Sequence, residues 1–130
     1  MTRFHRLFKW IMLVAGLLTC SMFYALFAPA ASLQANFGER IDGAVAEIVV
    51  RNWGALIGLM GVLLIVGAFR SQVRTVALLV AGASKLVFIA LVLSLGQAYL
   101  PFQVGMAVAI DAVMLTLFAI YLLTHSSTTP

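Results

Sequence analysis

Four long apolar runs constrain this chain more than any other feature of its sequence. They cover about residues 7–30, 46–69, 75–100 and 102–123. A helix needs about 20 apolar residues to cross a bilayer, and backbone groups in lipid must be satisfied within the helix itself. The sequence therefore predicts an all-α integral membrane protein, a four-helix transmembrane bundle that forms one domain over residues 1–130.

The composition excludes an ordinary soluble domain. Hydrophobic residues make up 64% of the chain and charged residues 9%, far from soluble globular usage. The net charge of +4 comes from basic residues at the ends of the runs, with no basic stripe interleaved with aromatics. The predicted partner of these charges is the lipid bilayer and not nucleic acid. The single cysteine, Cys20, allows no intrachain disulfide.

The first apolar run begins with the basic, aromatic stretch "TRFHRLFKW", as a secretory signal peptide would. The triplet "APA" at Ala28 to Ala30 resembles a cleavage site. Because the run is longer than a typical signal core, we expect an uncleaved span. Residues 31–47 form the one sizeable polar connection, in which we expect a short interfacial helix.

Lysine and arginine placement predicts the orientation. Arg3, Arg6 and Lys9 precede the first run, and Arg70 and Arg74 join the second run to the third. With four spans, both groups lie on one side of the membrane. Cytoplasmic loops carry the excess of Lys and Arg, so both chain termini are expected in the cytoplasm.

Aromatic residues near the ends of the runs fit this topology. Trp and Tyr are enriched at both membrane–water interfaces. We therefore expect Trp10 and Tyr121 at the cytoplasmic interface, and Tyr99 and Phe102 at the opposite one.

Two charged residues lie deep inside apolar runs. Lys85 is about ten residues from the start of the third run, and Asp111 is about twelve residues from the end of the fourth. The two runs are antiparallel, so a rise of 1.5 Å per residue places both charges at one depth within ~5 Å. An unpaired charge at the bilayer centre costs at least ~3 kcal/mol. We therefore expect Lys85 to face Asp111 inside the bundle.

The second run supplies further polar residues. Glu47 and Arg51 are four residues apart and share one helix face. Arg51 lies nearer the outer side than Asp111, and its long side chain is expected to reach toward that carboxylate. The adjacent Asn52 is interpreted either as a member of the same polar cluster or as an interfacial anchor. The predicted intramembrane polar cluster consists of Glu47, Arg51, Asn52, Lys85 and Asp111.

Glycines predict where the helices approach closely. Gly54, Gly58 and Gly61 lie on the face of the second run that carries Arg51, and "GALIG" is a GxxxG pattern that admits a neighbouring helix. Gly82 lies one turn before Lys85. These four glycines are the predicted helix-packing positions.

Three interpretations of the charged residues stay open. The lysine and aspartate form a structural ion pair that fixes which helices face each other, or they form a polar site for protons, ions or an amphipathic ligand. In the third interpretation, Lys85 has no ion-pair partner and its ammonium group snorkels toward the membrane interface.

No nucleophile or phosphate-binding signature occurs in the chain. His5 and His125 lack a nearby ligand cluster, so we expect no metal, no cofactor and no catalytic residue.

The segments "FAPAASLQANFG" and "RNWGALIGLMGVLLIVGAF" resemble small four-helix bacterial membrane proteins of the DoxX-like kind. The shared features are a short first loop ending in glycine and a glycine-rich second span that opens with arginine. The resemblance covers the first half of the chain. It implies a four-helix bundle in a bacterial inner membrane and assigns no role to Lys85 or Asp111.

Three functions agree with this sequence. The leading hypothesis is a non-enzymatic protein that acts through helix–helix contacts, as an accessory subunit of a membrane-protein partner or as a homo-oligomer. The second is a small proton- or cation-coupled transporter. The third is a membrane enzyme that binds a quinone or lipid headgroup, with Arg51, Lys85 and Asp111 around that headgroup.

Overall fold

The computed structural model describes residues 2–128, and the side-chain surroundings of residues 3–124, so the side chain of His125 lies outside the described part. Four helical segments are long and apolar enough to cross a membrane: Arg3–Phe27, Ala44–Phe69, Ser71–Leu95 and Gln103–Thr124. The predicted all-α chain with four candidate spans is confirmed. The helices are α1 (Thr2–Cys20), α2 (Tyr24–Phe27), α3 (Pro29–Phe37), α4 (Ala44–Phe69), α5 (Ser71–Leu95) and α6 (Gln103–Thr128), with 3-10 turns at Ser21–Phe23 and Gln97–Tyr99.

Two predicted spans end a few residues earlier than expected. The first span ends at Phe27 because Ala28 leaves the helical region, at φ −136° and ψ 68°. Pro29, which suits the first position of a helix, then begins α3. The third span ends at Leu95 and not at Leu100, because the chain leaves the helical region at Gly96 and turns through a short 3-10 segment.

The glycine face of α4 packs against the first span. A Cβ atom placed on Gly61 would lie 2.6 Å from the backbone nitrogen of Cys20 and 2.6 Å from the carbonyl oxygen of Gly16. One on Gly54 would lie 2.6 Å from the Cβ of Ala25. These distances leave no room for a side chain, so the glycines set how closely the first span and α4 approach.

The beginning of α1 and the end of the fourth span lie at one end of the bundle, which we call the basic end. His5 Nε2 is hydrogen-bonded to Thr124 Oγ1 at 2.6 Å, and the Phe8 ring stacks on Tyr121 with 4.1 Å between centroids. Tyr121 is only 4% exposed. The Tyr121 ring therefore packs in the core at the basic end, and its expected place at the cytoplasmic interface stays a prediction. Trp10, by contrast, is 50% exposed.

Arg74 closes the turn between α4 and α5, also at the basic end. Its Nε donates to the carbonyl of Gly67 at 2.9 Å, and its Nη2 donates to that of Ala68 at 2.7 Å. These carbonyls belong to the last turn of α4, where no helical amide follows to bond them. A cation at a helix C-terminus also interacts favourably with the helix dipole.

The opposite end of the bundle, which we call the loop end, contains α3 and the turn between α5 and α6. Gly38 ends α3 in the left-handed region at φ 70°, as helix C-termini commonly do. The preceding residue, Phe37, packs edge-on against Tyr99, with 5.4 Å between centroids. Tyr99 Oη donates to Glu39 Oε2 at 2.9 Å. These contacts attach α3 to the α5–α6 turn.

Candidate functional site: a cavity ending at a buried ion pair

Lys85 and Asp111 form an ion pair between α5 and α6. Lys85 Nζ lies 2.8 Å from Asp111 Oδ1, and the two side chains are 7% and 19% exposed. The contact that their equal depth predicts is therefore present in the structure. Mutual pairing removes most of the cost of placing either charge among apolar spans.

Thr19 is a third member of this site, and we call Thr19, Lys85 and Asp111 together the ion-pair site. The Thr19 hydroxyl accepts a hydrogen bond from Lys85 Nζ at 3.2 Å and donates its own proton to the carbonyl of Ala15 at 2.7 Å. Thr19 is 7% exposed. The ammonium group is thus held by α1 and α6 at once, which fixes these two helices around α5.

The ammonium retains one unused donor. A lysine carries three N–H groups, and two of them are directed to Asp111 and Thr19. Within residues 3–124, no third acceptor contacts Lys85 Nζ. Likewise, only one carboxylate oxygen of Asp111 is engaged within that range. The ion-pair site therefore offers one strong donor and one strong acceptor to a molecule placed beside it.

The other predicted polar residues do not join this site. Glu47 and Arg51 form their own pair, with 2.8 Å between Arg51 Nη2 and Glu47 Oε1, and their side chains are 54% and 40% exposed. Asn52 is exposed beside them. The expected single cluster of five residues is wrong, because the chain builds two separate groups.

Arg51 is occupied by the end of the first span. Its Nη1 donates to the carbonyl of Leu26, close to the helix break at Ala28, where helical amides no longer follow in register. The expectation that Arg51 reaches toward Asp111 is therefore wrong. Arg51 turns to the carbonyl of Leu26 because an unpaired carbonyl near the surface is a closer and less costly partner than the Asp111 carboxylate.

Gly82, the fourth predicted packing glycine, is buried but less tightly packed than the glycines of α4. A Cβ placed on it would meet only the Cδ1 of Leu115, at 3.4 Å. Close helix approach is therefore concentrated between the first span and α4. Gly16, which sequence reasoning did not select, takes part in that approach.

A cavity of about 640 Å³ extends from the ion-pair site toward the loop end. This volume lies within the range typical of small-molecule sites. Polar groups lie at its two ends, with Ser84 and the ion-pair site at one and Ser32, Asn36 and Gln103 at the other. Between them the lining is mainly apolar and includes Met22, Trp53, Ile57, Met60, Phe88 and Met106.

The mouth of the cavity faces sideways, between the first span and α6. Every exposed lining residue lies on the first span, α3 or α6, whereas those contributed by α4 and α5 are buried or half-buried. Leu18, Tyr24 and Met106 at this mouth are 48%, 56% and 66% exposed. In a bilayer such a mouth would open toward lipid.

The basic half of the bundle is filled by packed side chains. Phe8, Met12, Leu78 and Phe118 are each at most 1% exposed and belong to one core cluster. The Phe8 and Phe118 rings meet edge-on, with 6.3 Å between centroids. The cavity therefore ends about one helical turn beyond the ion-pair site, at Ala81 and Met114 of this cluster.

Sequence reasoning missed Thr19 and the cavity. A hydroxyl in an apolar run at the depth of Lys85 was the available signal for Thr19. The cavity had none, because a void depends on how four helices settle against one another. Comparison with protein-family profiles, curated protein sequences and solved structures found no match for this chain.

Proposed function

We propose that this chain is a multi-pass membrane protein that binds a lipid-soluble small molecule in the cavity between its helices. One observation carries the proposal: a volume of about 640 Å³ is walled by apolar side chains and ends at a buried ion pair. Mostly apolar walls with a few convergent polar groups are the usual character of a ligand site. An intramembrane ionisable pair is itself a functional candidate.

The geometry gives less support to the two other functions. A transporter needs a path that reaches both sides of the membrane, and the packed core around Phe8 and Phe118 fills the basic half. Action through helix contacts drew its support from the glycine face of α4, which the first span of the same chain covers. The third hypothesis was a membrane enzyme that binds a quinone or lipid headgroup; the cavity supports its binding part, although Arg51 does not line the cavity.

Topology and location belong to the same proposal. The basic residues Arg3, Arg6, Lys9, Arg70 and Arg74 lie near the basic end, and the bias of Lys and Arg toward the cytoplasm places that end inside the cell. The cavity then lies in the outer half of the membrane. The resemblance to DoxX-like proteins remains a prediction, and with it a bacterial inner membrane.

The test compares two alanines on α6. Ala107 lines the cavity and Ala109 is exposed on the outer surface of the same helix. The full-length protein and the variants Ala107→Phe and Ala109→Phe are extracted with their surrounding lipid, and bound small molecules are identified by native mass spectrometry.

We expect a stoichiometric ligand on the wild type and on Ala109→Phe, and none on Ala107→Phe, because the added ring fills the cavity. Equal occupancy of all three proteins, or no stoichiometric ligand on the wild type, would contradict the proposal. Circular dichroism of both variants confirms that helicity is retained.

A further inference from the structure

The ion-pair site limits the chemistry of the molecule that the cavity can accept. Lys85 and Asp111 together carry no net charge, and the cavity around them is walled mainly by apolar side chains. A ligand with an anionic or cationic head would bring an uncompensated charge into that surrounding. Such a charge is costly at membrane depth, by more than a factor of ten in affinity.

The unused groups of the site specify the head further. One N–H of Lys85 and one oxygen of Asp111 have no partner within residues 3–124. An uncharged carbonyl accepts from the ammonium, and an uncharged hydroxyl can accept from Lys85 while donating to Asp111. Hydrogen bonds to ionised groups are stronger than neutral ones. An uncharged oxygen head therefore forms its strongest hydrogen bonds beside the ion pair.

The walls fit an apolar body of variable shape. Met22, Met60, Met106 and Met114 line the cavity, and methionine adapts to irregular shapes more readily than branched side chains do. Gln103 and Asp111 mark the two polar ends and are eight residues apart on α6, or about 12 Å. A chain of medium length can occupy this distance with its head at Lys85.

We propose that the cavity selects a lipid-soluble molecule with an uncharged oxygen head, a hydroxyl or a carbonyl, and seats that head on Lys85 and Asp111. This inference rests on the proposed function, and it adds the class of ligand and the residues that choose it. The molecule reaches the site sideways, through the mouth between the first span and α6. Thr19 acts as a positioning residue, since it holds the ammonium that binds the head.

Trp53 provides a direct reporter, because its side chain lines the cavity. Trp10→Phe removes the only other tryptophan, which is half-exposed near the basic end. The full-length Trp10→Phe protein in lipid nanodiscs is titrated with four probes: 1-decanol, 2-dodecanone, decanoate and decyltrimethylammonium. Saturable change in Trp53 fluorescence is measured against the concentration of probe in the membrane.

We expect 1-decanol and 2-dodecanone to bind at least about tenfold more tightly than either charged probe. The ratio of the two neutral probes separates the head classes, because a preference for the alcohol requires the Asp111 acceptor. In the variant Lys85→Met/Asp111→Leu, binding of the neutral probes should weaken about tenfold. The four-probe comparison requires no variant, so the inference is testable even if that variant does not fold.

The failures of the two proposals are distinguishable. A charged probe that binds as tightly as the alcohol, or neutral binding unchanged in the double variant, overturns the inference about the head and leaves a ligand-binding cavity. If no probe changes Trp53 fluorescence saturably, and the Ala107→Phe and wild-type proteins carry the same molecules, then both proposals fall.

Discussion

Removing one partner of the Lys85–Asp111 pair tests the physical argument on which the site depends. Asp111→Leu leaves the ammonium with one acceptor among residues 3–124, the Thr19 hydroxyl, on a side chain that is 7% exposed. Lys85→Met leaves a carboxylate that is 19% exposed and borders the cavity. Breaking a buried pair costs about 3–5 kcal/mol, because the remaining charge is uncompensated.

The difference in burial ranks the two single changes. We expect Asp111→Leu to lower the free energy of unfolding by about 3–5 kcal/mol, since it strands the more buried charge. Lys85→Met is expected to cost about 2–3 kcal/mol, because the carboxylate it leaves is partly accessible from the cavity. Lys85→Met/Asp111→Leu removes both charges, and a pair replaced by apolar residues is often neutral. The double variant is expected to lose about 1 kcal/mol or less of its free energy of unfolding.

The assay is unfolding of the purified protein in mixed micelles by increasing mole fraction of SDS, followed by far-UV circular dichroism. With the losses given above, the double-mutant cycle should yield a coupling energy of about 4–7 kcal/mol. Glu47→Gln is the matched control, because it neutralises one partner of the exposed pair with Arg51. Exposed pairs contribute about 1 kcal/mol or less.

The reasoning is refuted if the cycle gives a coupling energy below about 1 kcal/mol. It is refuted equally if the double variant is less stable than Asp111→Leu alone. Either result would mean that Lys85 and Asp111 do not compensate each other within the bundle.

Three further predictions concern helix packing, the loop end and orientation. Gly61→Ala should destabilise the fold by about 2 kcal/mol or more, since its methyl group meets backbone of the first span, whereas Gly82→Ala should be tolerated within about 1 kcal/mol in the same SDS assay. Equal losses would contradict the packing argument. The hydrogen bond to Glu39 raises the pKa of Tyr99, so the contact is present below the ordinary tyrosine pKa and is lost as pH rises through the raised value. Glu39→Gln should move the tyrosinate absorbance of Tyr99, measured as the difference from a Tyr99→Phe protein, to lower pH, and an unchanged titration would contradict this contact. A cysteine introduced at Gln34, exposed on α3, should react with an impermeant thiol reagent added outside the cell; labelling from the cytoplasmic side alone would reverse the proposed orientation.

The architecture could be predicted because it follows from length and hydropathy. Runs of this length have one stable solution in lipid, a helix that satisfies its own backbone. The same rise per residue places Lys85 level with Asp111, and the cost of a lone charge requires them to meet. Helix ends were less predictable. Ala28 interrupts the apolar stretch Leu26 to Ala30, and only the proline that follows it indicates the break.

Arg51 shows the limit of this reasoning. A side chain of that length could turn toward the Asp111 carboxylate or toward the nearby end of the first span. Sequence distance does not reveal that the carbonyl of Leu26 is left without a helical partner. The cavity could not be predicted from the sequence for a related reason, because it depends on small relative shifts of four helices.

The packed core around Phe8 and Phe118 occupies one half of the bundle, and the cavity occupies the other. Under the proposed function, a molecule that enters sideways would therefore exchange with a single monolayer of the membrane. Polar heads cross hydrocarbon reluctantly, so the two monolayers keep distinct populations of amphiphiles. Occupancy of this protein would follow the composition of the monolayer at its loop end, and would change with the opposite one only as fast as molecules flip between them.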